Sequence, residues 1–397
     1  MVNDDLLTRP NLTYDEWRVT PELDAVTPDS TKRERKSKRF RDTIKERSAP
    51  SESPNAIVLT HGDADGLTSA ALLQDLHQNS AVVQTVSYHG AYGYEEALQD
   101  LIDTSAAPKM LYISDFNPPD STDATVPEAL HTLMDERGTQ VVWYDHHPWN
   151  DDVLAAYRNA GVDVVLDTDE CTASLIRAEA AEHGYTLPDH LSELVTVTKD
   201  IDLWIRDDPR SPRLNVFASL VDYPAEYIQT VLEHGVDLPD DIDTRVDERI
   251  TRNARLEKSA VDHAKRYPIG ENTVAAIAYT RAGRSSEIGN ELTETPEFGV
   301  NVAIVLRANG SAGVYSHSDG QGDDPDPTVF ARCNEIASTL GGGGHPTASG
   351  FPVPVNHFRD LAEYWATAGE SVHGDVLDAA YQPVRDYEQE QAEREQE

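Results

Sequence analysis

The chain reads as an α/β protein: a mostly parallel sheet covered by helices, then a smaller C-terminal α/β unit reached through a helical linker. Three observations point there. From residue 55 to about 205, short β-rich apolar runs alternate with helix-like stretches. Three of those runs end in acidic or histidine residues: His61, Asp63 and Asp65; then Asp115; then Asp145-His146-His147. A second α/β rhythm starts at 273 and leads into Gly341-Gly342-Gly343-Gly344-His345.

Residues 1–54 are polar, with little regular apolar pattern. Within them Lys32 to Arg47 holds nine basic residues against Glu34, Asp42 and Glu46, a net +6 in a chain of net charge -38. Such a block suits an arm that contacts phosphates, or equally a helix laid on the protein's own acidic surface. In 55–205 the strand candidates are 56–60, 81–87, 110–114, 140–144 and 162–166, each bounded by turn residues. Helical stretches fall at about 67–78, 94–103, 124–137, 150–160, 171–183 and 189–200. Residues 206–268 read as a linker, rich in Pro and acid at first, with a short helix near 224–235 and a long charged one at 241–266. The C-terminal unit, 269–382, has strands near 273–279, 300–307 and 312–317 and helices at 285–294 and 329–340. The acidic tail, 383–397, is Glu/Gln-rich after Tyr387 and reads as frayed.

The composition bounds the setting. Arginine outnumbers lysine 25 to 8 within a strongly acidic chain. At about 1 M salt the Debye length is about 3 Å, so such self-repulsion is screened. The composition therefore predicts a cytoplasmic protein of an extreme halophile, and the net charge says little about substrate. Cys171 and Cys333 are far apart and form no zinc pattern, as expected of free thiols in a reducing compartment. No apolar run approaches the roughly 18 residues that span a bilayer, which predicts a soluble protein with no membrane partner.

The chemistry is carried by the strand ends, which lie along one edge of a parallel sheet. His61, Asp63 and Asp65 alternate, so in an extended chain they converge, and one imidazole with two carboxylates suits a divalent cation. Alternatively Asp63 and Asp65 cap the following helix and Gly66 makes the turn. Adding Asp115, Asp145, His146, His147 and Asp200 supplies more ligands than one ion needs. Two ions about 3.5–4 Å apart can clamp both oxygens of an in-line displacement at phosphorus.

In order and spacing, His61-x-Asp63-x-Asp65-Gly66, a strand-end Asp115, Asp145-His146-His147, a helix-end Asp200 and Gly342-Gly343-Gly344-His345 resemble the DHH phosphoesterase superfamily. That family holds RecJ-like exonucleases, nano-RNases, phosphatases for 3′-phosphoadenosine 5′-phosphate and cyclic dinucleotide phosphodiesterases. The resemblance covers about 55–355 and implies two α/β domains with the active site in the cleft between them. It implies that Asp65, Asp115, His146 and Asp200 hold one metal ion, while His61, Asp63 and the bridging Asp115 hold the other. Asp202 is the less favoured alternative to Asp200. His147 would face the scissile phosphate, with Asp145 orienting the neighbouring imidazole. Two Mn²⁺ ions are implied, with Mg²⁺ the other candidate.

Gly342, Gly343, Gly344 and His345 would then grip a terminal nucleotide or its phosphate. Many nano-RNase relatives carry an Arg between two serines on the strand before this loop, where here Ser316-His317-Ser318 stands. His317 is a weaker, pH-dependent phosphate contact, and Arg281, Arg284 and Arg307 are the candidates to compensate. The implied activity is a metal-dependent phosphodiesterase in which a metal-bound hydroxide attacks nucleic-acid ends or short single-stranded oligonucleotides. The alternatives are an enzyme for a cyclic dinucleotide or 3′-phosphoadenosine 5′-phosphate, and a non-catalytic repair or replication scaffold. A homodimer is compatible with any of them.

Overall fold

An unbroken apolar strand belongs in the middle of a parallel sheet with both faces covered. β1 (Ala56–Thr60) is such a strand, buried at every residue. The structure is a computed structural model that describes residues 29–47, 54–87, 92–118, 125–221, 223–280, 284–307, 310–317, 330–353 and 370–394.

The first unit opens with α1 (Asp29–Arg47), β1, α2 (Ala64–Leu76), β2 (Val82–Thr85) and α3 (Tyr94–Asp103). β3 (Met110–Ser114) follows, then α4, which begins as Glu128–His131 and continues as a π-helical turn, Thr132–Glu136. β4 (Gln140–Asp145), α5 (Asp151–Asn159), β5 (Asp163–Leu166), α6 (Thr172–Glu182) and α7 (Asp189–Asp202) complete the alternation. All five strands pair in parallel in the order β2-β1-β3-β4-β5. The chain leaves β1 toward one side and returns through β3 on the other. That reversal opens a crevice beyond the carboxyl ends of β1 and β3, the place where such sheets bind ligands.

Alternation along each strand divides the core in two. Ala56, Val58, Val142 and Tyr144 face α2, α6 and α7, whereas Ile57, Leu59, Val141 and Trp143 face α1, α3, α4 and α5.

The expected linker is more than a connection. α8 (Ser211–Leu220), α9 (Pro224–His234) and the first half of α10 (Asp240–Asp262) share the first core through Leu214, Phe217, Tyr227, Val231, Ile242 and Val246. Tyr227 lies fully buried with its hydroxyl 3.0 Å from Thr68 Oγ1. α8 was hidden in the sequence by Pro212, which sits in the first helical turn, where no backbone donor is needed.

The far end of α10 turns to the second unit, where Ala260 and Val261 pack under its sheet. That sheet contains β6 (Lys265–Pro268), β7 (Val274–Thr280), β8 (Val302–Arg307), β9 (Ser311–Ser316), β10 (Gly343–Gly344) and β11 (Ala348–Pro352), in the order β10-β11-β9-β8-β7-β6. Only β7 and β8 are parallel. α11 (Ser285–Glu294) covers one face; α12 (Cys333–Thr339) and α13 (Glu370–Arg394) cover the other. The tail expected to fray is helical through Arg394. Its Glu388 carboxylate explains why, since it accepts from the Glu271 and Asn272 amides at 3.0 and 2.8 Å and from Thr273 Oγ1 at 2.8 Å. Among the described residues no helix is long and apolar enough to cross a membrane.

The basic stretch forms α1 and docks on the protein itself. Phe40 and Ile44 are buried, Arg33 pairs with Glu96 at 3.3 Å and Arg41 with Asp100 at 3.6 Å. Phe40→Ala is expected to lower unfolding free energy by about 3–5 kcal/mol in denaturant titrations. A loss under about 1 kcal/mol, the scale of a surface change, would show that α1 is not held by this contact.

Candidate metal centre

The turn after β1 is fastened before any ligand is considered. Asp63 caps α2, its Oδ1 accepting from the Gly66 amide at 3.1 Å while its Oδ2 lies 2.7 Å from His61 Nδ1. A Cβ on Gly66 would sit 2.5 Å from the His61 carbonyl oxygen, so no larger residue fits this turn. Thr60 Oγ1 donates to the Gly66 carbonyl at 2.8 Å and accepts from Ser114 Oγ at 2.9 Å, tying β1 to β3. The capping reading therefore holds for Asp63 but not for Asp65, and it leaves both free to serve as ligands.

Asp65 lies in the first turn of α2, 1% exposed, and accepts from the Thr172 and Ala173 amides at 2.7 and 2.9 Å. It thereby satisfies the start of α6. Asp115, just past β3, adopts φ 58°, a left-handed conformation that Asp tolerates. Its Oδ1 stands 3.5 Å from His146 Nε2, and its Oδ2 stands 3.8 Å from His61 Nδ1. β4 delivers the third group. Asp145 is spent internally: Oδ1 accepts from the His146 amide at 2.9 Å and lies 2.7 Å from His147 Nδ1, while Oδ2 accepts from Trp149 Nε1 at 2.6 Å. Asp145 is thus a positioning residue that holds His147.

Asp200 does not meet the others. Its Oδ1 accepts from the Asp207 and Asp208 amides at 2.8 and 3.2 Å, and its Oδ2 accepts from Ser211 Oγ at 2.5 Å. Asp202 takes the place expected of Asp200, with Oδ2 3.4 Å from His146 Nε2. Two residues along a helix are separated by about 200°, so only one of the pair can face the sheet edge.

Three overlapping groups result, each with donor atoms within 4.8 Å of one another: His61, Asp63 and Asp115; Asp65, His146 and Asp202; Asp115, His146 and His147. Asp115 Oδ2 and Asp202 Oδ2 are buried without a hydrogen-bond partner. Burial and the neighbouring carboxylates push Asp115 well above the usual carboxylate range and raise Asp202 to about 8. Burial opposes charge on His61, but Asp63 and Asp202 together raise the imidazole above its ordinary value; Lys36 of α1 works the other way. Orphaned carboxylate oxygens beside imidazoles fit a hard-to-borderline divalent cation.

The second unit meets this edge through His345, whose ring lies 5.6 Å from that of His147 and 6.5 Å from that of His146. Gly342 serves packing first, since a Cβ there would lie 2.0 Å from the Gly350 carbonyl oxygen; Gly344 pairs with Ser349 in the sheet, and Gly343 leaves open space. His317 is exposed just beyond β9, next to Ser316, whose amide donates to the Thr347 carbonyl at 2.9 Å. Arg284 pairs with Glu257 and Glu287, and Arg307 reaches the Ala312 carbonyl. Arg281 lies outside the described residues. The sequence reading overlooked Arg206, which pairs with Glu287 across the two units at 2.8 Å and stacks over Trp204.

Neither a protein-family model nor a curated protein matches the sequence. Among solved structures the chain is similar to RecJ from Thermus thermophilus in complex with Mn²⁺, at 16% identity and TM-score 0.48, covering 88% of this chain and 55% of that one. It is also similar to CDC45 from Entamoeba histolytica (8% identity, TM-score 0.44, covering 86% and 99%). A third is an uncharacterized protein from Helicobacter pylori (17% identity, TM-score 0.31, covering 80% and 99%). These are likenesses of arrangement, and the chemistry of the centre is read from its own residues.

Asp202→Ala is expected to weaken Mn²⁺ binding, followed by calorimetry, by at least about 10–100-fold, the loss seen even for outer partners. Asp200→Ala is expected to spare the affinity and cost about 1–3 kcal/mol of stability, because three donors lose their acceptor. The opposite pattern would restore Asp200 as the ligand. Without cation, the folded state keeps protons on Asp115 and Asp202 that an unfolded chain releases near about pH 4. The stability they lend is complete at low pH and is lost as pH rises toward 8. Added Mn²⁺ should therefore raise the thermal midpoint more at about pH 8.5 than at about pH 6; an equal rise at both would refute this coupling.

Proposed function

We propose that this protein is a divalent-cation-dependent phosphodiesterase acting on nucleic-acid ends or short oligonucleotides, as its resemblance to DHH phosphoesterases implies. The observation that carries the reading is the sharing of Asp115 and His146 among three His/Asp groups at one sheet edge. The donor set suits two cations: one on His61, Asp63 and Asp115, the other on Asp65, Asp115, His146 and Asp202, with Mn²⁺ favoured over Mg²⁺. Bound there, such ions supply charge neutralisation at phosphorus and an acidified water.

The chain's own residues do the rest. Asp145 fixes His147 through Nδ1, so contact with a phosphate oxygen falls to Nε2. His345 closes on His147 from the second unit, and with Gly343 and His317 it forms the substrate side. The 5.6 Å approach of the two rings favours a narrow site, one that admits a strand end or a short substrate over the middle of a duplex. Residues 55–205 with α8, α9 and half of α10 would form the catalytic unit, and 269–382 the substrate-binding unit. The composition supports a cytoplasmic enzyme working in molar salt.

Incubation with Mn²⁺ in high salt and end-labelled single-stranded DNA and RNA of about two to twenty nucleotides tests the reading. Hydrolysis is expected to fall by about 10²–10⁴-fold in His147→Ala, the range for a positioned imidazole, and to vanish in Asp115→Ala. Full Mn²⁺-dependent turnover by Asp115→Ala would end this mechanism. Turnover of cyclic dinucleotides alone would move the assignment to the small-nucleotide alternative.

A further inference from the structure

The turn that follows α7 is strained and firmly held. Trp204 and Arg206 adopt φ of 57° and 63°, left-handed conformations that cost energy in residues with a side chain and gather at functional positions. Asp200 maintains them. Its carbonyl accepts from the Ile205 and Arg206 amides at 2.9 and 3.2 Å, and its carboxylate accepts from the Asp207 and Asp208 amides at 2.8 and 3.2 Å. So fixed, the turn lays the Arg206 guanidinium 4.2 Å from the centre of the Trp204 ring and 2.8 Å from Glu287 Oε2. It begins just past Asp202, whose carboxylate faces His146.

Glu287 lies in the first turn of α11 and joins three elements. Its Oε2 takes Arg206 of the first unit and its Oε1 takes Arg284 at 3.0 Å, while the Arg284 amide donates to Glu257 of α10 at 3.0 Å. α11 is in turn tight against β9. Ser285 Oγ lies 2.7 Å from the Tyr315 hydroxyl, and a Cβ on Gly289 would overlap the Tyr315 ring. Tyr315 pairs with Ala348 of β11, and Ala348 exchanges both backbone hydrogen bonds with His345, at 2.9 and 3.2 Å. Contacts thus run without a break from the end of α7 to the ring that faces His147 at 5.6 Å.

We propose that Arg206 is a positioning residue for oligonucleotide substrates: through Glu287 it sets the second unit against the metal edge, and with it the approach of His345 to His147. This rests on the phosphodiesterase reading above and deepens it. A strand that reaches from the cations to Gly343 and His345 needs both units in place, so loosening the second unit lowers its affinity. A small phosphodiester held at the cations alone has no such requirement. Asp200 thereby gains a role without touching metal, since it shapes the turn that carries Arg206.

Arg206→Ala, Arg206→Lys, Glu287→Gln and the Arg206→Ala/Glu287→Gln double variant test this, with Arg245→Ala as control because Arg245 pairs with Glu226 inside the first unit. Turnover with Mn²⁺ is measured on a single strand of roughly ten nucleotides and on bis(p-nitrophenyl) phosphate. Arg206→Ala is expected to raise KM for the strand by about 3–10-fold with kcat retained, the scale of one exposed ion pair plus one cation–aromatic contact. Turnover of the small diester should not change. Arg206→Lys should recover part of the loss, and the double variant should be no worse than Arg206→Ala. Independently of activity, spin labels on Glu136→Cys and Glu297→Cys, both exposed, report the distance between the units. Its distribution should broaden in Arg206→Ala and match the parent in Arg245→Ala. An unchanged distribution or an unchanged KM in Arg206→Ala overturns the proposal, as do additive losses in the double variant or an equal loss on the small diester. Hydrolysis by the parent with no Arg206 effect sinks only this inference. A distribution that broadens in Arg206→Ala while the parent hydrolyses neither substrate sinks the catalytic reading and leaves Arg206 as the residue that sets the units.

Discussion

Four carboxylates brought together at one partly buried sheet edge dominate this molecule. Asp63, Asp65, Asp115 and Asp202 meet three imidazoles, those of His61, His146 and His147, at the carboxyl edge of one sheet, and burial with the like charges raises the pKa of Asp115 and Asp202 there. Burying like charges is costly unless each is neutralised or hydrogen-bonded. The surrounding structure can be understood as supports for that crowding. The α6 amides hold Asp65, Gly66 lets the chain turn back against His61, and a left-handed backbone aims Asp115.

The supports extend well beyond the first side chains. Trp149 donates to Asp145 and stands edge-on to Trp143 at 5.1 Å, so the orientation of His147 is set by an aromatic cluster in the core. Trp143 in turn donates to the Phe116 carbonyl at 2.6 Å, one residue past Asp115. β3 and β4 are thereby fixed to each other where their side chains meet. The second unit is tied to the same edge by Arg206 and Glu287, and α10 runs from the core of one unit to the sheet of the other.

Much of this was legible in the residues. The strands of the first sheet fell within a residue or two of their expected bounds, because continuous apolar runs ending in polar clusters leave little choice. The set His61, Asp63, Asp65, Asp115 and His146 does converge, as the strand-end recurrence required. Which of Asp200 and Asp202 faces the sheet edge was not legible. Both lie in the last turn of one helix, and choosing between them needs its rotational phase, which packing against α2 and the 207–211 loop sets. The fate of the basic stretch was equally open, since Phe40 and Ile44 are two apolar residues in a charged run and reveal a docking face only once α3 is in place.

The sequence by itself determined the alternation of strands and helices and hence a parallel sheet. With that came the gathering of acids and histidines at its carboxyl edge, because strand periodicity and strand-end chemistry are local properties of the chain. Tertiary structure settled which aspartate faces inward, which glycines serve packing and which arginines are consumed in ion pairs. Those outcomes depend on helix rotation and on partners distant along the chain, and no window of sequence contains both sides of such a contact.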